Sequence, residues 1–203
     1  VGANTITLSG GGSLVSGGMT LNDAQSKLLL NSITLDSAST SANNSGLDVD
    51  ANSTVTAFSV GHTTPVSIKA GKTLSGGVTV TAGSIKLGET GTLVSNVTMS
   101  GGTLEADNNL TLSGALTQAG NITIAVAENK ILGYSGAAVN LGARTLTMSG
   151  KGTFNNTNAI VLNDASSKLL LSNTATVSSV STSLESLGVD VNEDSTITSL
   201  AVG

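Results

Sequence analysis

Short alternations of apolar and polar residues run the length of this chain. Ile6-Thr7-Leu8, Ile33-Thr34-Leu35, Val78-Thr79-Val80, Val97-Thr98-Met99, Leu110-Thr111-Leu112, Ile122-Thr123-Ile124 and Leu146-Thr147-Met148 each set two apolar side chains on one side and a threonine on the other. A period of two in β-branched and aliphatic residues predicts short strands with one buried face. Gly and Asn punctuate the gaps, as turns require. No segment reads as a helix, because Ser, Thr, Asn, Gly and β-branched residues dominate and Ala-Leu-Glu-Lys stretches are missing.

The strands repeat. Leu47, Val66, Ile85 and Leu104 are 19 residues apart, as are Val49, Ile68, Leu87 and Ala106. Val55, Leu74, Leu93, Leu112 and Ile131 share the spacing, and so do Val78, Val97 and Leu116. Several apolar columns in phase imply a coil that returns to the same place each turn, stacking like on like. The expected fold is all-β: a single-stranded parallel β-helix, or β-solenoid, of about 19–20 residues per coil, wound right-handed. Within a coil the apolar positions form three groups (47 and 49, then 55, then 58 to 60), which predicts three short strands and a roughly triangular section. Ten coils at about 4.8 Å each make a rod about 50 Å long.

A longer period of about 140 residues overlies the first. Leu21-Asn22-Asp23-Ala24 with Ser26-Lys27-Leu28-Leu29-Leu30 returns as Leu162-Asn163-Asp164-Ala165 with Ser167-Lys168-Leu169-Leu170-Leu171. Gly46-Leu47-Asp48-Val49-Asp50 returns as Gly188-Val189-Asp190-Val191-Asn192, and Thr5-Ile6-Thr7-Leu8-Ser9-Gly10 as Thr145-Leu146-Thr147-Met148-Ser149-Gly150. Residues 1–203 therefore read as one continuous solenoid segment, with 1–140 one large unit and 141–203 the start of the next. Neither terminus reads as a polar cap, so an excerpt from a longer array is expected.

Composition narrows the chemistry. Ser, Thr, Gly and Asn are about half of the chain, which has no Cys, no Trp, one Tyr, two Phe and one His. A thiolate or multi-histidine metal site is not expected, and no cofactor is implied. Net charge is -5 with Arg144 the sole arginine, which speaks against nucleic acid as a partner. No apolar run reaches the roughly 18–20 residues of a membrane span.

Outward residues form columns too. Flanking the 55/74/93/112 column are Thr54 and Thr56, Thr73 and Ser75, Thr92 and Val94, Thr111 and Ser113; Thr79, Thr98 and Thr117 make another. Such Thr ranks are the arrangement of β-solenoid ice-binding proteins, one alternative function. Equally, Thr suits an exposed strand position and stacks well on Thr. Asp50 with Lys69, and Lys86 with Glu105, are spaced to lie side by side on adjacent coils and to help hold register. Asp48 and Asp50 superficially resemble a calcium loop, but the sixth and twelfth positions are Ser53 and Ser59, where Gly and Glu are wanted.

A polysaccharide-processing β-helix enzyme is the other alternative, needing clustered carboxylates and aromatics. Glu89, Glu105 and Asp107 are the nearest approach to a cluster, and His62, before Thr63-Thr64-Pro65, reads as a turn residue without a nucleophile. No catalytic, metal or cofactor residue is assigned, and enzymatic activity is not expected. Asn-x-Ser/Thr sequons at Asn43, Asn52, Asn96, Asn109, Asn121 and Asn155 are what this composition produces by chance, and by themselves do not show glycosylation.

Imperfect coils of about 19 residues, outward Ser/Thr, inward Val/Ile/Leu, no Cys and an acidic balance resemble the passenger region of bacterial autotransporters and other large surface adhesins, most of all the self-associating type. The resemblance implies a secreted stalk or fibre segment on a bacterial cell surface. Its partners would be a second copy or a host, surface or matrix component. In some members outward Ser/Thr are glycosylated. The 140-residue super-repeat points equally to a giant fibrous surface protein exported by another route. The candidate interaction face is the ladder Thr54, Thr56, Thr73, Ser75, Thr92, Thr111 and Ser113.

Overall fold

A computed structural model describes residues 1–15 and 17–203. It is all-β, and every strand pairing among the described residues is parallel. A ten-stranded sheet takes one strand from each coil in chain order, from Thr5–Ser9 and Lys27–Asn31 to Lys168–Leu171 and Gly188–Val191. The chain is thus a β-solenoid of ten coils, about 48 Å along its axis.

The other two strand positions of each coil build a fifteen-stranded sheet. Three separate strands per coil were expected, yet in Thr34–Thr40, Ser53–Val60, Thr73–Val80, Thr176–Thr182 and Thr196–Val202 the second and third run on as one. Elsewhere they remain short, as in Thr92–Leu93 and Asn96–Met99. We refer to the ten-stranded sheet as the first face, and to the two columns of the larger sheet as the second and third.

Strand alternation decides what is inside. In Ser84–Leu87, Ile85 and Leu87 are buried while Ser84 and Lys86 point out. Val, Ile and Leu from all three faces meet in a single core, with Phe58, Tyr134 and Phe154 its bulkiest members. The Tyr134 and Phe154 rings stack at 5.7 Å between centroids.

Register departs from an even 19. On the first face successive strands are displaced by 19 residues at Ser84↔Thr103 but by 24 at Ile122↔Leu146. Val66 lies beside Leu87, and Ile85 beside Thr64, so the columns 47/66/85/104 and 49/68/87/106 do not run through. The coil between them is two residues longer. A slip of two leaves every side chain on its own side, so the hydrophobic pattern reads equally well either way. The slip sets Thr64, inward like Val66, beside Ile85, and its buried hydroxyl donates to the His62 carbonyl at 2.9 Å and accepts from Asn44 Nδ2 at 3.0 Å.

The second face shows the same effect. Val55 pairs with Gly76 and Leu74 with Ser53, across an irregularity between Val55 and Ala57. Gly76 sits at φ +119°, and a Cβ there would lie 1.8 Å from the Val55 carbonyl oxygen, so glycine is required. Farther on, Leu112 lies beside Tyr134 rather than Ile131. That displacement is odd relative to the expected one, and Ile131 accordingly faces solvent, 47% exposed.

The LNDA motif folds into a self-bonded corner. Ser26 Oγ is buried, accepts the N–H groups of Asn22 and Asp23, and donates to the Gly2 carbonyl at 2.6 Å. Asp23 Oδ1 accepts the Gln25 N–H, and Asn22 Oδ1 the Gly2 N–H. In the second copy Ser167 bonds Asp164 N–H and the Gly142 carbonyl, Asp164 bonds Ser166 N–H, and Asn163 bonds Gly142 N–H. The identities shared by the two motifs are those this corner needs.

Candidate interaction faces

Outward positions alternate with core positions along each strand, so the faces are columns of polar side chains about 4.8 Å apart. On the second face Thr73, Thr92 and Thr111 stand level on three successive coils. Thr54 does not join them. It lies between Thr34 and Ser75, while Thr56 falls at the irregularity and has no level partner on the following coil. Ser113 follows Val94 on the next coil, its N–H donating to the Leu93 carbonyl as Val94 donates to Leu74. The expected double rank of Thr-x-Thr is therefore two shorter ranks displaced by two residues.

The longer ladder is on the third face, where the sequence pattern had shown half of it. Thr20, Ser39, Ser59, Thr79, Thr98 and Thr117 stand level over six coils, with Thr20 and Ser39 hydroxyls 3.0 Å apart. Beside it run Ser37, Ala57, Gly77 and Asn96.

Charge is divided unequally between the sheets. On the first face Lys27 pairs with Asp48 at 2.6 Å, Lys86 with Glu105 at 2.9 Å and Lys168 with Asp190 at 2.6 Å. The hydrogen bond and charge of Glu105 raise the Lys86 pKa. Asp50 and Lys69, expected to pair, form no ion pair; Asp48 reaches back to Lys27 instead. In the strands of the fifteen-stranded sheet, by contrast, Asp36 is the one charged residue. The remaining outward side chains there are mainly hydroxyls, amides and small residues.

The groups weighed for chemistry lie apart. His62 is exposed in the turn between Ser53–Val60 and Thr64–Ile68. Glu89 and Asp107 are exposed, while Glu105 holds Lys86. Among the described residues no three His, Asp or Glu side chains come together as a cation site would need. All three aromatic rings are buried and so cannot stack on a sugar at the surface. No helix among the described residues is long and apolar enough to cross a membrane.

Asparagine had been read as turn punctuation, and it does more. Asn52 accepts the N–H of Thr73, Asn96 that of Ala115, Asn109 that of Ile131 and Asn121 that of Thr145, each through Oδ1 at 2.9–3.1 Å. Each stands at or just before the start of a strand, where a turning backbone aims its own carbonyl elsewhere. The side chain supplies the missing acceptor to the next coil. For Asn96, Asn109 and Asn121 the sequence signal was available as Asn immediately ahead of an apolar-Thr-apolar run; Asn52, followed by Ser53-Thr54-Val55, lacks it.

Comparison with protein-family models, with curated proteins and with solved structures returned no match.

Proposed function

We propose that this chain is a non-enzymatic, rigid segment of a secreted bacterial surface adhesin or fibre, acting as a stalk and associating laterally through its uncharged faces. The observation that carries the reading is the segregation of charge. Two copies, each of net charge -5, repel one another everywhere except where the approaching surfaces carry no charge. The second and third faces come near that condition, Asp36 being the one charged residue in their strands among the described residues, and they offer Ser, Thr and Asn groups that both donate and accept hydrogen bonds.

Magnitudes favour association that grows with length. One face about 48 Å long and three residues wide presents about 500 Å². Two such faces bury about 1,000 Å², the lower end of specific interfaces. Each hydrogen bond contributes about 1 kcal/mol or less, so one segment binds weakly and a longer array binds firmly by summing the same contacts. Burial of the aromatics removes the usual means of gripping sugars, which favours a second copy over a polysaccharide as partner.

Negative-stain microscopy of concentrated protein, with sedimentation velocity over a concentration series, tests the proposal. Straight rods that pair side by side as concentration rises are expected. Compact particles, or rods that stay monomeric at every concentration, overturn it.

A further inference from the structure

Each coil is joined to the next by three parallel ladders, one on each face, with one exception among the described residues. The sixth coil (Thr103–Ala106, Leu110–Leu112, Leu116–Gln118) meets the seventh (Ile122–Val126, Ile131–Tyr134, Val139–Asn140) through the first and second faces only. On the third face Leu116–Gln118 pairs back to Asn96–Met99, and Val139–Asn140 pairs forward to Ile160–Leu162. Neither pairs with the other. Coil length supplies the reason. Leu112 is level with Tyr134 and Thr123 with Thr147, so the seventh coil is two residues longer between these points than the sixth. The two backbones still touch where this segment begins: a Cβ on Gly136 would lie 2.4 Å from the Gly114 carbonyl oxygen.

Side chains replace part of the missing ladder. Tyr134 Oη accepts the Leu116 N–H and donates to the Ala137 carbonyl, and Gln118 Nε2 donates to the Thr145 carbonyl at 2.8 Å. The Gly136 carbonyl is drawn away toward the eighth coil by Asn158 Nδ2. Gln118 is 4% exposed, and its Oε1 is buried without a hydrogen-bond partner. This junction thus has one ladder fewer than the others and an unpaired acceptor as well, which costs stability. In a solenoid each coil touches only its neighbours, so cooperativity passes along the rod through the junctions and is interrupted where one is weakest.

We propose that the junction between the sixth and seventh coils is a built-in seam: it divides the rod into two cooperative blocks, coils one to six and coils seven to ten, and the rod yields there before it yields within either block. At rest the unbroken first- and second-face ladders keep it straight. Under load the third face parts first, because only the bonds of Tyr134 and Gln118 tie it. The seam also has a place in the long repeat. The third-face ladder restarts at Val139–Asn140, where the 140-residue unit ends, and then takes in Ile160–Leu162, Thr176–Thr182 and Thr196–Val202, which answer to Met19–Leu21, Thr34–Thr40 and Ser53–Val60. Wherever the unit is repeated the seam is repeated with it, once in seven coils or about 34 Å. The inference rests on the solenoid fold and not on the lateral association proposed above, and it holds for a rod that never pairs.

The chain has no cysteine, so single buried thiols report unfolding coil by coil. Leu93→Cys and Leu112→Cys report on the fifth and sixth coils, and Leu132→Cys and Ile160→Cys on the seventh and eighth, all four positions being in the core. The urea midpoint for reaction of each thiol with iodoacetamide is measured in the whole chain, alone and with Ile68→Ala in the fourth coil or Leu169→Ala in the ninth. Ile68→Ala is expected to lower the midpoints at 93 and 112 together, and those at 132 and 160 by less than about half as much; Leu169→Ala is expected to do the reverse. Equal shifts at all four positions, a gradual decline with distance, or a step at another junction overturns the proposal. Should Ile68→Ala unfold the first block outright, the thiols at 132 and 160 are expected to stay protected, and their exposure in water overturns it equally. Ile68→Val then gives the milder perturbation for the midpoint comparison.

Discussion

The hydroxyl of Tyr134 accepts the backbone N–H of Leu116 at 3.0 Å, from inside the core. It also donates to the Ala137 carbonyl at 2.6 Å, so one phenol satisfies two main-chain groups where the third-face ladder is interrupted after Leu116–Gln118. Tyr134→Phe leaves both unpaired at almost unchanged volume. The expected loss is about 1–3 kcal/mol, read as a lower denaturant midpoint with an unchanged slope.

Burial also raises the Tyr134 pKa above its ordinary value of 10.0, partly offset by the Leu116 hydrogen bond. The unfolded chain therefore loses the phenolic proton at lower pH than the folded one. Stability from this group is fully present below the unfolded pKa and falls as pH rises toward the folded value. This is the chain's one tyrosine and there is no tryptophan, so near-ultraviolet absorbance follows it without interference. Phenolate appearing at the pH of free tyrosine, with no loss of fold, would contradict this environment.

Neighbouring residues test the register. Leu132 is fully buried beside Leu110 and Phe154, whereas Ile131 is exposed. Leu132→Ala is expected to cost about 2–5 kcal/mol and Ile131→Ala less than about 0.5 kcal/mol. Thermal or urea unfolding distinguishes them, and equal losses would restore the even 19-residue column through Ile131.

Two glycines with positive φ separate strain from collision. Gly46 (φ +96°) would place a Cβ 2.1 Å from the Pro65 carbonyl oxygen, while Gly71 (φ +71°) has open space. Gly71→Ala pays the left-handed conformation alone, about 1–2 kcal/mol. Gly46→Ala must in addition push two coils apart, and is expected to cost at least twice as much in the same melt.

The first-face ion pairs are partly exposed, and Lys86→Met is expected to cost less than about 1 kcal/mol, shrinking further at high salt. Glu105 raises the Lys86 pKa, so the contribution holds below the ordinary lysine pKa of 10.5 and disappears as pH rises through the raised value. A double-mutant cycle with Glu105→Gln measures it.

Lateral pairing is tested by placing charge on one face at a time. Ser59→Lys with Thr98→Lys on the third face lowers the net negative charge, which by bulk electrostatics would promote association. Loss of pairing is expected instead, because buried lysines would lack partners. Ser67→Lys with Thr147→Lys on the first face makes the same change in charge and is expected to leave pairing intact. Added salt is expected to strengthen pairing by screening net repulsion, with no ion pair at the interface to weaken.

Much of the architecture was legible in the residues. The alternation in Val78-Thr79-Val80 and the return of Val97 and Leu116 beneath Val78 are both local matters of period, and both are found in the solenoid. The placement of Leu87 beside Val66 was not legible, nor was that of Tyr134 beside Leu112. Coil length is settled in turns such as those around Gly71 and Asn129, where added residues cost little. The candidate ladder suffered for the same reason: Thr54 and Thr73 are correctly outward but stand on different rungs.

By itself, then, the sequence determined that the chain coils, which side chains turn inward within most strands, and that its surface is hydroxyl-rich and poor in charge. Those properties follow from side-chain type and a period of two, which only an odd change of register, as at Ile131, overrides. Tertiary structure alone decided which coil position meets which, and therefore where the uncharged faces lie, which lysine finds which carboxylate, and whether an asparagine offers its oxygen or its nitrogen to the fold. Those depend on contacts 19 to 24 residues apart, where several registers bury the same apolar side chains and backbone hydrogen bonds choose among them.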